Sequence, residues 1–318
     1  MIPIIDEAEL RKVVTPELAV RAVREAFRAD GEGRTTVPPV INLTMPGSRG
    51  EFHVKTAAVE GVPYVAIKVA SGFPGNADAH LPTGSGLMSV FHASTGLPAA
   101  LLLDNGFLTD IRTGAAGAVA ADVLGRRRVE TVGLLGTGLQ GRHQLACLLA
   151  VRSVRRVVAW SPTPARLERY CAEMRRQWGL DVRSASEPEA VCREADILVT
   201  ATPAREPIVR AVWLRPGVHV TALGSDSPGK QELDPGCLSR ADLVVVDRLA
   251  QCAAFGELAG AVAAGCFDVG QVHAELGAVV AGRRPGRTGD DQITIADLTG
   301  VGFQDTAIAA AALAALGV

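Results

Sequence analysis

The chain has little of what marks several large functional classes. Its six cysteines, Cys147, Cys171, Cys192, Cys237, Cys252 and Cys266, are scattered, with no C-x-x-C pair and no nearby histidine at zinc-ligand spacing. That pattern excludes a disulfide framework and gives no metal site. Neither sign of charge is in excess: 32 Lys and Arg stand against 34 Asp and Glu, interspersed along the length. Such a balance leaves no electrostatic footprint for nucleic acid or for an anionic membrane. The longest apolar tract, AIAAAALAALGV near the C-terminus, falls well short of the roughly 20 residues that span a bilayer. The opening MIPIIDEAEL has neither the basic flank nor the apolar core of a secretory leader. Internal repeats, charge blocks and low-complexity linkers are missing too. These absences point to a cytoplasmic protein with small-molecule partners and a terminal helix that is buried or docked.

What is present is enough apolar material for a packed fold: 48% hydrophobic residues over 318 positions, best divided into two domains. At 15–29, TPELAVRAVREAFRA opens on a Thr-Pro cap and first-turn pair and repeats Leu18, Ala22 and Ala26 on one face, an amphipathic helix. Over 38–103 the pattern becomes short β-rich runs, VINLTM, EFHVKTAAV, YVAIKVASG, GLMSVFHA and AALLLD, which predict an antiparallel meander. The Ala- and Gly-rich stretch at 110–124 predicts a connecting helix and the domain boundary. From Glu130 onward strands alternate with helices, TVGLLG, VRRVVAW, LDVRSA, ADILVTAT, VHVTALG and ADLVVVD, which predicts a parallel, doubly wound α/β sheet. The tail at 293–318 is expected to return to the first domain. The domain limits read from this are 1–113 with 299–318 for an α+β domain, and 114–298 for a Rossmann domain.

In TVGLLGTGLQGR, three glycines follow an apolar strand and open a helix. Gly136 permits the turn, Gly138 lets the backbone approach a pyrophosphate, and Gly141 packs helix on strand, so the motif, with Thr137, Leu139 and Gln140 inside it, reads as a dinucleotide cradle. An acidic residue at the end of the second strand would bind a ribose 2′-hydroxyl and repel a 2′-phosphate. Here the string is AWSPTPAR, with no carboxylate. Ser161, Thr163 and Arg166 suit a phosphate as well as they suit a polar helix cap, which leaves NAD and NADP both open. Thr113, Thr200, Ala201, Gly224, Ser225 and Val301 complete the residues expected at the cofactor.

The blocks AIKVASGFPGN, LPTGSGLM, LLDNGFLTDIRTGAAGAVAADVL, GLLGTGLQGR, GSDSPGKQEL and FGEL resemble those of the ornithine cyclodeaminase and mu-crystallin family, from about residue 38 to 305. The resemblance implies a Rossmann domain joined to a substrate-binding and dimerisation domain, a nicotinamide cofactor and a homodimer. It further implies a substrate carboxylate held by Lys68 and Arg112, Thr83 near the pocket and an acid/base at Asp226. A guanidinium fork plus an ammonium is suited to fixing a carboxylate so that the α-carbon is presented for hydride transfer. From residues alone Asp226 is equally a turn carboxylate in GSDSPG, and Lys68 and Arg112 are equally exposed chains.

One departure stands out: where members of that family commonly carry a cation after the V-P-P-like segment, this chain has Val40. Lys55 on the neighbouring strand could present its ammonium instead, with His53 on the same face by two-residue alternation. Lys55 could equally be a surface lysine. Asn76 reads as a turn residue, Lys230 as a partner of Asp226 or a solvated side chain, and the pair Gly300 and Gly302 as a segment near the nicotinamide or a closing loop. Three functions follow. First is an NAD(P)-dependent amino-acid dehydrogenase or imino-acid reductase with Asp226 and Lys68 as catalytic groups. Second is an ornithine cyclodeaminase that uses its cofactor catalytically. Third is a crystallin-like binder without turnover.

Overall fold

The computed structural model describes residues 2–48 and 50–318. The chain forms two units, Met1–Arg112 with Val301–Val318, and Thr113–Gly300. The limits read from the sequence differ from these by one residue at 112 and by two at 301.

The first unit runs β1 (Ile4–Asp6), α1 (Glu7–Val13), α2 (Pro16–Gly31), β2 (Thr35–Thr36), β3 (Ile41–Met45), β4 (Gly50–Val59), β5 (Tyr64–Gly72), β6 (Gly84–His92) and β7 (Pro98–Leu103). Helix α3 (Phe107–Leu124) starts in this unit and continues as the first helix of the second. Strands β4 to β7 form the expected antiparallel meander; β3 pairs β4 beside it, and β1 lies parallel to β7. Strand β1 is not announced by the sequence, since its three residues have no local period. Helix α2 begins where expected: the Thr15 hydroxyl accepts the Leu18 N–H at 3.2 Å, and Pro16 takes the first turn. Its Val23 and Phe27 are fully buried, and Phe27 meets Phe303 edge to face at 5.2 Å.

The C-terminal helix of this unit, numbered α11 (Gly302–Leu316), buries nearly all of its first two turns, including Gln304, Asp305 and Thr306. A Cβ at Gly302 would lie 2.2 Å from the Thr56 carbonyl oxygen, so only glycine lets the helix start this close to β4. One turn on, the Thr306 hydroxyl donates to the Ala57 carbonyl at 2.7 Å and accepts the Ala66 N–H at 3.1 Å. That hydroxyl pins the helix to β4 and β5 together.

The second unit, after α3, comprises β8 (Thr131–Leu135), α4 (Leu139–Leu149), β9 (Arg156–Trp160), α5 (Pro164–Trp178), β10 (Asp181–Ser184), α6 (Pro188–Glu194), β11 (Ile197–Thr200), β12 (His219–Ala222), α7 (Gly236–Arg240), β13 (Leu243–Val246), α8 (Leu249–Cys252), α9 (Glu257–Ala263), β14 (Ala274–Glu275), α10 (Leu276–Val280) and β15 (Thr294–Asp297). All its strands run parallel in the order β10-β9-β8-β11-β12-β15-β13-β14. Every residue of β8, β11, β12 and β15 is buried, as in a sheet covered on both faces. Strand β15 corrects the expectation for the tail: Ile293 to Gly300 stay in this unit, and only Val301–Val318 return. TIAD is too short to announce a strand by alternation, and it becomes one by pairing His219 on one side and Leu243 on the other, far away in sequence.

Candidate active site

In the first unit the buried charges converge on one carboxylate. Lys68, in β5, is the register partner of Lys55 in β4, so both side chains leave the same face of the sheet. Lys68 is 2% exposed, Lys55 8% and Arg112, in α3, 4%. The Lys68 ammonium lies 3.0 Å from Asp305 Oδ2, and Arg112 Nε donates to Asp305 Oδ1 at 2.9 Å. Arg112 Nη1 also donates to Gln304 Oε1 at 3.1 Å. Burial pulls the Lys68 pKa down to about 7, with Arg112 and Lys55 adding to the fall and Asp305 opposing it. Burial also raises the Asp305 carboxyl, but Arg112, Lys68 and Lys55 outweigh it and hold it below its ordinary value. Removing one partner from such a buried pair costs about 3–5 kcal/mol, because the other charge is left uncompensated. Asp104, ahead of α3, accepts the Leu108 N–H at 2.8 Å; burial raises its carboxyl, opposed by neighbouring N–H groups and by Lys68.

The other residues expected at the substrate lie in the same unit. His53 is two residues from Lys55 on β4; its Nδ1 is 2.6 Å from Asn42 Oδ1 and its Nε2 is 3.4 Å from Glu51 Oε1. Glu51, His53 and Lys55 therefore share a face by alternation. Thr83 is exposed, and its carbonyl accepts the Phe73 N–H. Asn76, read as a turn residue, lies in the short 3₁₀ helix Pro74–Ala79, and its amide donates to the Pro82 carbonyl at 2.8 Å.

In the second unit the glycine loop has the shape of a phosphate cradle. Gly136 sits at φ +107°, where a Cβ would meet the Ala201 carbonyl oxygen at 2.4 Å. A Cβ at Gly141 would lie 2.4 Å from the Gly136 oxygen and 2.9 Å from Leu134. At Gly138, the N-cap of α4, a Cβ would meet nothing within 4 Å, and no side chain caps the helix. The Thr137 hydroxyl is buried with no hydrogen-bond partner. Arg142, which the sequence reading missed, donates to the carbonyls of Thr137 at 2.8 Å and Gly138 at 3.0 Å, and is itself held by Glu173. With these carbonyls tied back, the loop offers its N–H groups, the Thr137 hydroxyl and the positive end of the α4 dipole. That donor set suits a pyrophosphate. Leu139 is exposed and Gln140 half-buried at the start of α4. After β9, Ser161 Oγ accepts the Thr163 N–H at 3.4 Å, Thr163 precedes α5 without capping it, and Arg166 is exposed.

Two expected cofactor contacts are used differently. The Thr200 hydroxyl, fully buried, donates to Glu232 Oε2 at 2.6 Å, and the Ser225 hydroxyl donates to Glu257. Both hydroxyl protons are held by buried carboxylates. Glu232 also accepts the N–H groups of Thr202 at 2.7 Å and Gly224 at 2.8 Å, so it binds the ends of β11 and β12 into one frame. Burial, then Glu257, pushes its pKa up to about 7. On that frame sits Asp226, exposed, with Lys230 Nζ 2.6 Å from its Oδ1. Ala201 follows β11, and Thr113 lies half-buried in α3. Gly300, at φ +79°, ends this unit, and Val301, the buried N-cap of α11, begins the returning segment of the first. Among the carboxylates the sequence reading missed, Asp305 had one visible signal: it is the lone charged residue in GFQDTAIAAAALAAL.

A sequence profile described as the Ornithine cyclodeaminase/mu-crystallin family matches residues 4–313. Over 312 residues, 98% of this chain and 94% of the relative, it is 46% identical to a putative dehydrogenase of Rhizobium meliloti. An uncharacterized cyclodeaminase of Sinorhizobium fredii is 44% identical over 96% of this chain and 93% of its own. Among solved structures, an archaeal alanine dehydrogenase dimer with bound NAD superposes with a TM-score of 0.92 at 34% identity, covering 100% of this chain and 97% of that one. The Delta(1)-pyrroline-2-carboxylate reductase of Thermococcus litoralis, in complex with NADH and L-proline, has a TM-score of 0.95 at 28% identity, covering 99% and 97%.

Proposed function

The chain belongs to the ornithine cyclodeaminase/mu-crystallin family, and from that membership we propose that it is an NAD(P)-dependent amino-acid dehydrogenase or imino-acid reductase. The observation that carries this reading is the buried pair of cations, Lys68 and Arg112, converging on Asp305. A lysine and an arginine kept out of water beside each other suit one task well, the capture of a carboxylate. The named activities of the similar proteins support the same class: one is an alanine dehydrogenase with bound NAD, another a Delta(1)-pyrroline-2-carboxylate reductase in complex with NADH and L-proline.

In this reading Lys68 and Arg112 hold the substrate carboxylate, and Lys55, on the same face as Lys68, adds positive potential. Gly136, Thr137, Gly138 and Gly141 hold the pyrophosphate of NAD or NADP. When bound, the cofactor supplies or accepts the hydride at the α-carbon. Asp226, oriented by Lys230, exchanges a proton with the substrate nitrogen. Ser161, Thr163 and Arg166 face the adenosine ribose end. The enzyme works in the cytoplasm, in keeping with six unpaired cysteines, and as a homodimer. Ile41, Leu43 and Met45, all exposed on one face of β3, are the surface we assign to that dimer. Among the described residues no helix is long and apolar enough to cross a membrane.

One observation favours the cyclodeaminase as the second reading: Glu51 lies on the face of β4 that carries His53 and Lys55, where an acidic group could receive a distal amine. The deciding experiment follows NADH and NADPH absorbance with ammonia and oxaloacetate, pyruvate or glyoxylate. It runs alongside ornithine with NAD⁺ and analysis for proline. Stoichiometric loss of reduced cofactor establishes the reductase. Proline and ammonia without net absorbance change replace it with the cyclodeaminase.

A further inference from the structure

We propose that Asp305 is a positioning residue for carboxylate binding: one buried carboxylate that holds Lys68 and Arg112 side by side and balances one of their two charges, leaving the pair with net positive charge for an anionic substrate. This rests on the reading of Lys68 and Arg112 as the carboxylate clamp.

Asp305 is fully buried in an otherwise uncharged helix, where a carboxylate is tolerated only if it is paired. Its two oxygens are divided between two elements, Oδ2 to Lys68 of β5 and Oδ1 to Arg112 of α3. The helical turn that carries it is located independently, by the close start at Gly302 against Thr56 and by the Thr306 hydroxyl bridging β4 and β5. Asp305 is thus a fixed point to which two long, flexible side chains are tied, with Gln304 taking a further N–H of the guanidinium. Without it, Lys68 and Arg112 repel each other, and Lys55 adds a third cation from β4.

The groups facing Lys68 are Asp305 from α11, Arg112 from α3, Lys55 from β4 and Asp104 from the segment after β7. Burial, Arg112 and Lys55 all favour its neutral form, and Asp305 opposes them. Loss of the Asp305 charge therefore lowers the pH at which Lys68 gives up its proton.

The test compares wild type, Asp305→Asn, Asp305→Glu, Lys68→Met and the double variant Asp305→Asn/Lys68→Met. Binding of L-proline and L-alanine to the NAD⁺-loaded enzyme is measured by calorimetry across pH 6 to 9, with KM and kcat where turnover is measurable. Asp305→Asn is expected to weaken carboxylate binding tenfold or more at neutral pH and to move the alkaline loss of binding to lower pH. NADH affinity stays as in wild type, and Asp305→Glu recovers part of the loss. In the double variant the effects are not additive, since part of the Asp305 effect runs through Lys68 and the rest through Arg112. An unmoved pH limb, additive losses, or a loss in Asp305→Asn below twofold overturns the proposal. If Asp305→Asn alone does not fold, Asp305→Glu is compared with wild type: weaker carboxylate binding with unchanged NADH affinity supports the proposal, and wild-type carboxylate affinity overturns it. If Lys68→Met binds carboxylates as wild type does, it is the clamp reading that fails, whatever Asp305→Asn shows.

Discussion

Two alanine substitutions three residues apart in the same glycine loop, at Gly138 and Gly141, should move stability in opposite directions. Gly138 has φ −79° and ψ −161°, a conformation open to any residue, and a Cβ there meets nothing within 4 Å. Alanine at this site costs the folded state little and reduces the freedom of the unfolded chain, a gain of about 0.4–1 kcal/mol. For a unit of this size that is about 1–4 °C in melting temperature. The same methyl stands where a pyrophosphate must approach the loop amides. Loss of one charge-assisted hydrogen bond, about 1.5–3 kcal/mol, weakens NADH or NADPH binding about ten- to a hundredfold. At Gly141 the added Cβ falls 2.4 Å from a backbone oxygen that cannot step aside. Overpacking of this kind costs about 1–3 kcal/mol, so Gly141→Ala should melt several degrees lower. The assay is thermal unfolding without cofactor, paired with fluorescence titration of NADH and NADPH. Gly138→Ala binding cofactor as tightly as wild type, or melting as low as Gly141→Ala, would refute the assignment of the loop.

Three further outcomes are expected. His219 is fully buried between Thr294 and Thr221, and burial, with Arg287 and Arg152 adding to it, depresses its pKa to about 3 from 6.5. Between those values the unfolded chain takes up a proton that the folded chain refuses, so stability falls as pH drops from 6.5, by up to about 1.4 kcal/mol per pH unit. Urea unfolding from pH 7 to 4 should show a shallower decline in His219→Asn, and identical slopes would contradict the argument. Asp226→Asn should lower kcat about a hundredfold or more with NADH affinity unchanged; full activity would remove Asp226 from the chemistry. Leu43→Asp should convert a dimer to a monomer in sedimentation velocity, and a variant that stays dimeric would place the interface elsewhere.

The glycine loop was legible in the sequence because its geometry is local. Gly136, Gly138 and Gly141 are separated by fixed short intervals, and the conformations they permit follow from the missing Cβ alone, whatever surrounds them. The meander of β4 to β7 was legible for a similar reason, since strands joined by short turns pair with their neighbours in order. Pairing of distant segments left no such mark. Strand β15 exists only because it lies between β12 and β13, and its four residues are too few to announce a strand by alternation.

The charged residues divide along the same line. The resemblance to the family singled out Lys68, Arg112 and Asp226 to bind a carboxylate or move a proton, while the residues alone left each with an ordinary surface alternative. Tertiary structure decided between burial and exposure. It put Lys68 and Arg112 out of water and left Asp226 at the surface beside Lys230. It also brought in Asp305, 193 positions from Arg112, as their common partner. The hydroxyls of Thr200 and Ser225 donate to Glu232 and Glu257, carboxylates whose role no local spacing encodes. A charged side chain acquires its function from what lies within about 3 Å of it, and for a buried group those neighbours come from elements that only folding brings together.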